Sequence, residues 1–170
     1  MIKMAQFYKV SYERFEKDFK DCFENANDAE IKNIYDSLKM PARATAGSAG
    51  YDFFSPVDIC LKPGETIKIP TGMRVKIDEG WVLKCYPRSG LGFKFRMQLN
   101  NTVGIIDSDY FNSDNEGHIF AKITNDTNED KTLTVAANTG FMQGIFVQYG
   151  ITFDDCANDV RNGGFGSTTK

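Results

Sequence analysis

The densest chemistry in this chain lies between Leu99 and Tyr110, in the run Leu99-Asn100-Asn101-Thr102-Val103-Gly104-Ile105-Ile106-Asp107-Ser108-Asp109-Tyr110. An amide stands at its entrance, and carboxylates and a phenol stand at its exit. Read as a hairpin-like stretch, its apolar residues, Ile106 among them, can line a slot around Gly104 for a flat base. The polar edge of that base would meet backbone groups and Asn101. A pocket of this kind discriminates strongly, because mispaired buried groups are costly. Asp107 is placed to orient and deprotonate a water. The same residues also fit an ordinary hairpin with a polar turn.

Four other segments carry groups of the same kind. In Pro87-Arg88-Ser89-Gly90-Leu91-Gly92-Phe93-Lys94, Arg88 can fork onto phosphate oxygens, Ser89 can donate, and Gly90 can bring its N–H close, although a plain loop fits equally. The C-terminal run Arg161-Asn162-Gly163-Gly164-Phe165-Gly166-Ser167-Thr168-Thr169-Lys170 joins glycine freedom to an apolar ring and a cationic fork. Phe165, the Gly166 N–H, Ser167 and Thr168 together suit a base and its phosphates, while a disordered terminus is the bland reading. In Ala46-Gly47-Ser48-Ala49-Gly50-Tyr51-Asp52, small residues let the backbone approach a ligand. Asp52 can bind a metal-bound water or merely satisfy a turn. Gly140-Phe141-Met142-Gln143-Gly144-Ile145-Phe146-Val147 reads as a core strand in which Gln143 is the polar group that needs a partner.

These residues must be held by a scaffold that the patterning outlines. Tyr12, Phe15, Phe19, Cys22, Phe23 and Ala26 recur at helical spacing with charges between them, which predicts an amphipathic helix over 11–26. Its stripe is expected to pack on the domain or on a neighbouring subunit. From Ile31 onward the chain changes to short β-rich runs with no further helical period. The expected strands are Ile31–Tyr35, Ile59–Leu61, Glu65–Ile69, Met73–Ile77, Trp81–Tyr86, Met97–Asn101, His118–Thr124, Lys131–Val135 and Met142–Tyr149, divided by turns such as Pro63-Gly64 and Asp78-Glu79-Gly80. The pattern is that of an all-β sandwich or barrel. It divides the chain into an extension over 1–30, a β domain over 31–160 and a flexible arm over 161–170.

Composition narrows the chemistry. A chain of 170 residues with 41% hydrophobic and 25% charged residues can bury one ordinary core. No run approaches the roughly 20 apolar residues that span a bilayer, so a soluble, cytoplasmic protein without membrane partners is expected. The net charge of −3 argues against polymeric nucleic acid but leaves room for a small anionic ligand. Cys22, Cys60, Cys85 and Cys156 are too scattered for a zinc site or a disulfide framework. The single histidine, His118, is expected to be a polar strand or loop residue, which leaves the chemistry to carboxylates, hydroxyls, arginines and a metal brought by the substrate.

Taken in order, Asp52 in AGYDFF, Arg88 in PRSGLG, Asp107 in NTVGIIDSDY, Gln143 in FMQGIF and Phe165 in RNGGFGST resemble the five motifs of the trimeric dUTPase family. The resemblance covers roughly residues 31–168. It implies a distorted jelly-roll or β-barrel with an added N-terminal helix and a flexible C-terminal arm, and it implies hydrolysis of dUTP to dUMP and pyrophosphate. By the same resemblance, Asp107 is the general base, Asn101 reads the uracil edge, and Tyr110 lies beneath the deoxyribose. Arg88, Ser89 and Gly90 form the phosphate loop, while Asp52 and Gln143 organise metal-bound water and the phosphate end. Mg²⁺ is then held by the triphosphate and water, and each site of a homotrimer is built by three subunits.

The chain departs from the family pattern in three places. Phe111-Asn112-Ser113-Asp114-Asn115-Glu116 is longer than the usual turn after the tyrosine, only Asn162 separates Arg161 from the glycine pair, and the N-terminal helix lies outside the core pattern. That helix either caps the trimer or offers a contact for a protein partner. Two rivals share the sequence features in part: a dCTP deaminase of the same fold, and a non-catalytic or regulatory nucleotide-binding module.

Overall fold

The computed structural model describes residues 2–159 and 161–163. The chain opens with a strand, β1 (Ala5–Lys9), whose side chains alternate between half-buried and exposed. Ser11 then caps α1 (Tyr12–Cys22): its hydroxyl accepts the Arg14 N–H at 3.1 Å and satisfies one of the free donors of the first turn. The helix stops short of residue 26 because Phe23, at φ −137°, leaves the helical region.

A second helix, α2 (Asp28–Ser37), takes the place of the strand expected over Ile31–Tyr35. The causes are local. Asn27 caps the new helix by accepting the Glu30 N–H at 2.9 Å. Asp28 and Glu30 sit in the first turn, where negative charge favours the helix. Ile31, Ile34 and Tyr35 then recur at helical spacing on the face turned to the core.

The β domain follows as β2 (Tyr51–Phe54), β3 (Ile59–Leu61), β4 (Thr66–Pro70), β5 (Met73–Ile77) and β6 (Trp81–Pro87). A short helix, α3 (Ser89–Phe95), interrupts them, followed by β7 (Met97–Leu99), β8 (Gly104–Ile106) and a 3-10 turn over Ser108–Asn112. The chain returns through β9 (Phe120–Asn125), β10 (Leu133–Val135) and β11 (Gly140–Gln148). The strands form antiparallel sheets in the orders β2-β11-β6-β8, β4-β9-β7, β1-β5 and β10-β3. This is an all-β jelly-roll domain carrying N-terminal helices, and among the described residues no sheet closes into a barrel. The hairpin expected over 99–110 is also corrected: β7 pairs with β9, whereas β8 pairs with β6, so the two arms belong to different sheets.

One core unites helices and sheets. Phe15 and Phe19 of α1 and Ile31 of α2 are buried in the same cluster as Ile69, Met73, Leu83, Ile119 and Ile123. The amphipathic stripe is therefore a packing face on the chain's own β domain. Asp18 lies on that face and meets His118, which is fully buried: His118 Nδ1 and Asp18 Oδ2 are 2.6 Å apart. The Gly72 N–H donates to His118 Nε2 at 2.8 Å, which leaves the ring proton on Nδ1, directed at the carboxylate.

Burial pushes the imidazole below its ordinary value against the pull of Asp18. Burial alone would raise the Asp18 carboxyl, but the His118 N–H and the Arg14 guanidinium outweigh it and hold it low. In both cases the unfolded chain binds protons more readily than the folded one. Stability is thus complete above the ordinary histidine value of about 6.5 and falls as pH drops below it. Thermal denaturation should show a midpoint that declines from pH 7 to pH 5, with a shallower decline in His118→Gln. Phe15→Ala, which empties a fully buried site, is expected to cost about 3–5 kcal/mol in a denaturant titration.

Candidate functional site

Two cavities gather most of the described residues singled out in the sequence, while Asp52, Asp107 and Gln143 line neither. The larger, of about 670 Å³, is lined by Asn101, Val103, Gly104, Ile106 and Tyr110, with Cys85 of β6 and Met142 of β11 behind them. Its entrance turn is tight: the Thr102 N–H bonds Leu99 O at 2.8 Å, and Thr102 itself sits at φ 66°, a left-handed conformation found where a turn is over-determined by its surroundings. Gly104 forms the floor. A Cβ there would stand 3.1 Å from the Cys85 Cβ and 3.9 Å from the Asn101 amide nitrogen, so glycine keeps the slot open and the Asn101 amide beside it. Burial pushes the Cys85 thiol up to about 12, which makes it a neutral wall.

The exit of the slot carries charge. Asp107 precedes the 3-10 turn as its cap residue, yet its side chain makes no capping bond and remains 45% exposed. It accepts from Arg161 NH2 at 2.6 Å, and Asp109 accepts from Arg161 Nε at 2.9 Å. The guanidinium expected at phosphates thus bridges two carboxylates at the rim of the slot, 5.8 Å from the centre of the Tyr110 ring. Tyr110 is buried, its hydroxyl donating to His118 O at 2.8 Å and accepting from the Asn115 amide at 2.8 Å. Burial raises the phenol above its ordinary value, so it acts as a neutral ring.

The smaller cavity, of about 340 Å³, is lined by Arg88, Ser89, Gly90, Thr139 and Gly140, with Thr134–Ala136 opposite. The PRSGLG segment is not a plain loop: Arg88 starts α3, whose first-turn N–H groups at Ser89 and Gly90 have no partner within the helix. Arg88 is held by Asp52, with Nε 3.3 Å from Oδ1, and donates from NH1 to Gly140 O at 3.2 Å. Gln143 lies opposite Asp52 in the β2–β11 register and donates to Pro87 O at 3.4 Å. Asp52, Arg88 and Gln143 therefore form one cluster.

Phe165, Gly166, Ser167 and Thr168 lie outside the described residues. Sequence reasoning missed Asp109 as a partner of Arg161, and Cys85, Met142 and the β9 residues Phe120–Lys122 as walls of the larger cavity. The alternation of Ala121 and Ile123 with Lys122 and Thr124 in β9 is the sequence signal that could have placed Ala121 on the inner face. The two cavities share no lining residue. Among the described residues, no group of three or more His, Cys, Asp or Glu side chains could hold a metal ion, and no helix is long and apolar enough to cross a membrane.

Comparison with known proteins gives the geometry its context. A family model described as dUTPase matches residues 36–169. The deoxyuridine 5'-triphosphate nucleotidohydrolase of Lactococcus lactis subsp. lactis is 38% identical over 134 residues, covering 77% of this chain and 88% of that protein. That of Hahella chejuensis is 39% identical over 143 residues, covering 81% and 91%. The crystal structure of dUTPase from Streptococcus mutans superimposes with a TM-score of 0.61 at 31% identity, over 86% of this chain and 97% of that one. Gly104→Val should fill the floor of the larger cavity and weaken binding of pyrimidine nucleosides by about tenfold or more, as measured by calorimetric titration.

Proposed function

Because this chain belongs to the dUTPase family, we propose that it hydrolyses dUTP to dUMP and pyrophosphate with the larger cavity as base slot and the Arg88 cavity as phosphate cradle. The observation that supports this reading is the Asp107 carboxylate, free of any capping role and paired with Arg161, which lines the same slot as Asn101. Uracil enters over Gly104 between Val103 and Ile106, and the deoxyribose rests on the Tyr110 ring, where a ribose hydroxyl would clash. Asp107 takes a proton from the attacking water. The water oxygen bonds to the α-phosphorus in line with the bond to the β-phosphate, that bond breaks, and pyrophosphate leaves.

Arg88, Ser89 and Gly90 grip the phosphate oxygens, and Arg88 arrives preset by Asp52 and the Gly140 carbonyl. Gln143 orders the same end. Arg161 carries the bidentate fork that suits a phosphate as well as it suits Asp107 and Asp109. By sequence, Phe165, Gly166, Ser167 and Thr168 are the groups that would cover the base and phosphates. A Mg²⁺ ion would be held by the triphosphate and water, with Asp52 as the carboxylate that would accept from that water; no group of three or more protein ligands among the described residues could hold it alone. When bound, the ion neutralises charge on the phosphate oxygens.

A nucleoside triphosphate must be gripped at base, sugar and phosphates at once, whereas the slot and cradle of one chain share no lining residue. By the family resemblance, the slot of one subunit works with the cradle of another in a homotrimer, and the disjoint linings accord with that reading. Asp107→Asn should bind a non-hydrolysable dUTP analogue within a few-fold of the parent while turnover falls by about 10²–10⁴. Equal losses in binding and turnover would make Asp107 a structural residue. Incubation with dCTP should release no ammonia; release would favour a deaminase.

A further inference from the structure

Two parts of this chain, helix α1 and the long segment 111–117 after Tyr110, are joined by the fold. The Ser11 N–H and hydroxyl donate to the Glu116 carboxylate at 2.9 and 2.6 Å. Arg14 NH2 donates to the Asp114 carbonyl at 3.0 Å. Asp18 accepts from His118 Nδ1 at 2.6 Å. Ser11, Arg14 and Asp18 stand on one helical face, so a single surface of α1 grips the segment along its length.

The grip passes to Tyr110. The segment returns to the sheet at His118, whose carbonyl accepts the Tyr110 hydroxyl, and its Asn115 amide donates to the same hydroxyl. His118 is fixed from its other side by the Gly72 N–H. Gly72 has φ +74°, and a Cβ there would run into Leu38 and Phe15, so only glycine supplies that donor. His118 is fully buried and Asp18 nearly so, and a buried carboxylate is tolerated only when its partners are complete. Removing the Asp18 acceptor would strand the Nδ1–H in the core and release the residue that holds the Tyr110 hydroxyl.

We propose that Asp18 is a positioning residue for sugar selection: with the Ser11–Glu116 clamp, it fixes the Tyr110 ring through His118 and so sets the rejection of ribose. The proposal rests on the reading of Tyr110 as the surface beneath the deoxyribose. It gives α1 a task in the site without contact to substrate.

The test compares kcat/KM for dUTP and for UTP, with thermal unfolding in parallel, in the full-length protein and its variants. Asp18→Ala should lower the dUTP-to-UTP ratio by about tenfold, chiefly by improving use of UTP. Asp18→Asn, whose amide oxygen can still accept from His118, should keep the ratio within about twofold. Phe19→Leu should lower the unfolding temperature with the ratio unchanged, which separates positioning from stability. If Asp18→Ala does not fold, the double variant Ser11→Ala/Glu116→Gln frees the same segment and must show the same loss of discrimination. A parental ratio in folded Asp18→Ala, or in the double variant used in its place, overturns the proposal, and Tyr110→Leu locates the failure. If Tyr110→Leu lowers the ratio, the sugar reading survives and only the role of Asp18 falls. If Tyr110→Leu leaves it unchanged, the sugar reading fails and the proposal falls with it.

Discussion

The register of β11 is the constraint on which the Asp52–Arg88–Gln143 cluster, the proposed phosphate end, depends. This strand pairs on both edges, with β2 on one side and β6 on the other, and sets Gln143 between Asp52 and Tyr86. A slip of one residue would turn Gln143 into the core and Met142 out of it. The pairing with β2 shifts between Gly140 and Met142, and this irregularity breaks the alternation so that Phe141 and Met142 are both buried. It also leaves Gly140 against the Arg88 guanidinium, where a Cβ would come within 2.9 Å of NH1. Backbone pairing, rather than any single side-chain bond, thus places the groups proposed to meet the phosphates.

Electrostatics completes the arrangement. Both arginines proposed for the phosphates are paired with carboxylates: Arg88 with Asp52, and Arg161 with Asp107 and Asp109. These pairs are partly open to solvent, where ion pairs contribute about 0–1 kcal/mol. A triphosphate, with more charge and more oxygens in bidentate geometry, can therefore displace them at small cost. The carboxylates preset the arginines, and in the proposed mechanism release of Arg161 would free Asp107 for water.

Much of this was legible in the sequence where local signals and tertiary structure agree. β3 and β5 fall where the turn residues predict them, since Gly64 and Gly80 both sit at positive φ. The order of the five motifs gave the family, and the β fold that carries the first four is present. α2 was hidden because its isoleucines and tyrosine favour strands as readily as helices, and the Asn27 cap decided between them. α3 was hidden by Gly90 and Gly92, which lower helix propensity; Phe95, buried at its end, anchors it by tertiary packing. The Asp18–His118 pair joins residues 100 positions apart, and no local pattern signals such a contact. That slot and cradle share no lining residue is likewise a property of the fold and not of the motifs.

The central claim is that one chain holds a base slot and a phosphate cradle that serve different sites, each completed by another copy. Subunit complementation tests it most directly. Asp107→Asn and Arg88→Ala, each inactive alone, are unfolded together, refolded at equal amounts and assayed with dUTP. Random assembly of shared sites pairs an intact slot with an intact cradle in about a quarter of them, so activity should recover to about a quarter of the parental value. Activity that stays at the level of the separate variants would show that slot and cradle of the same chain work together, and would contradict the account.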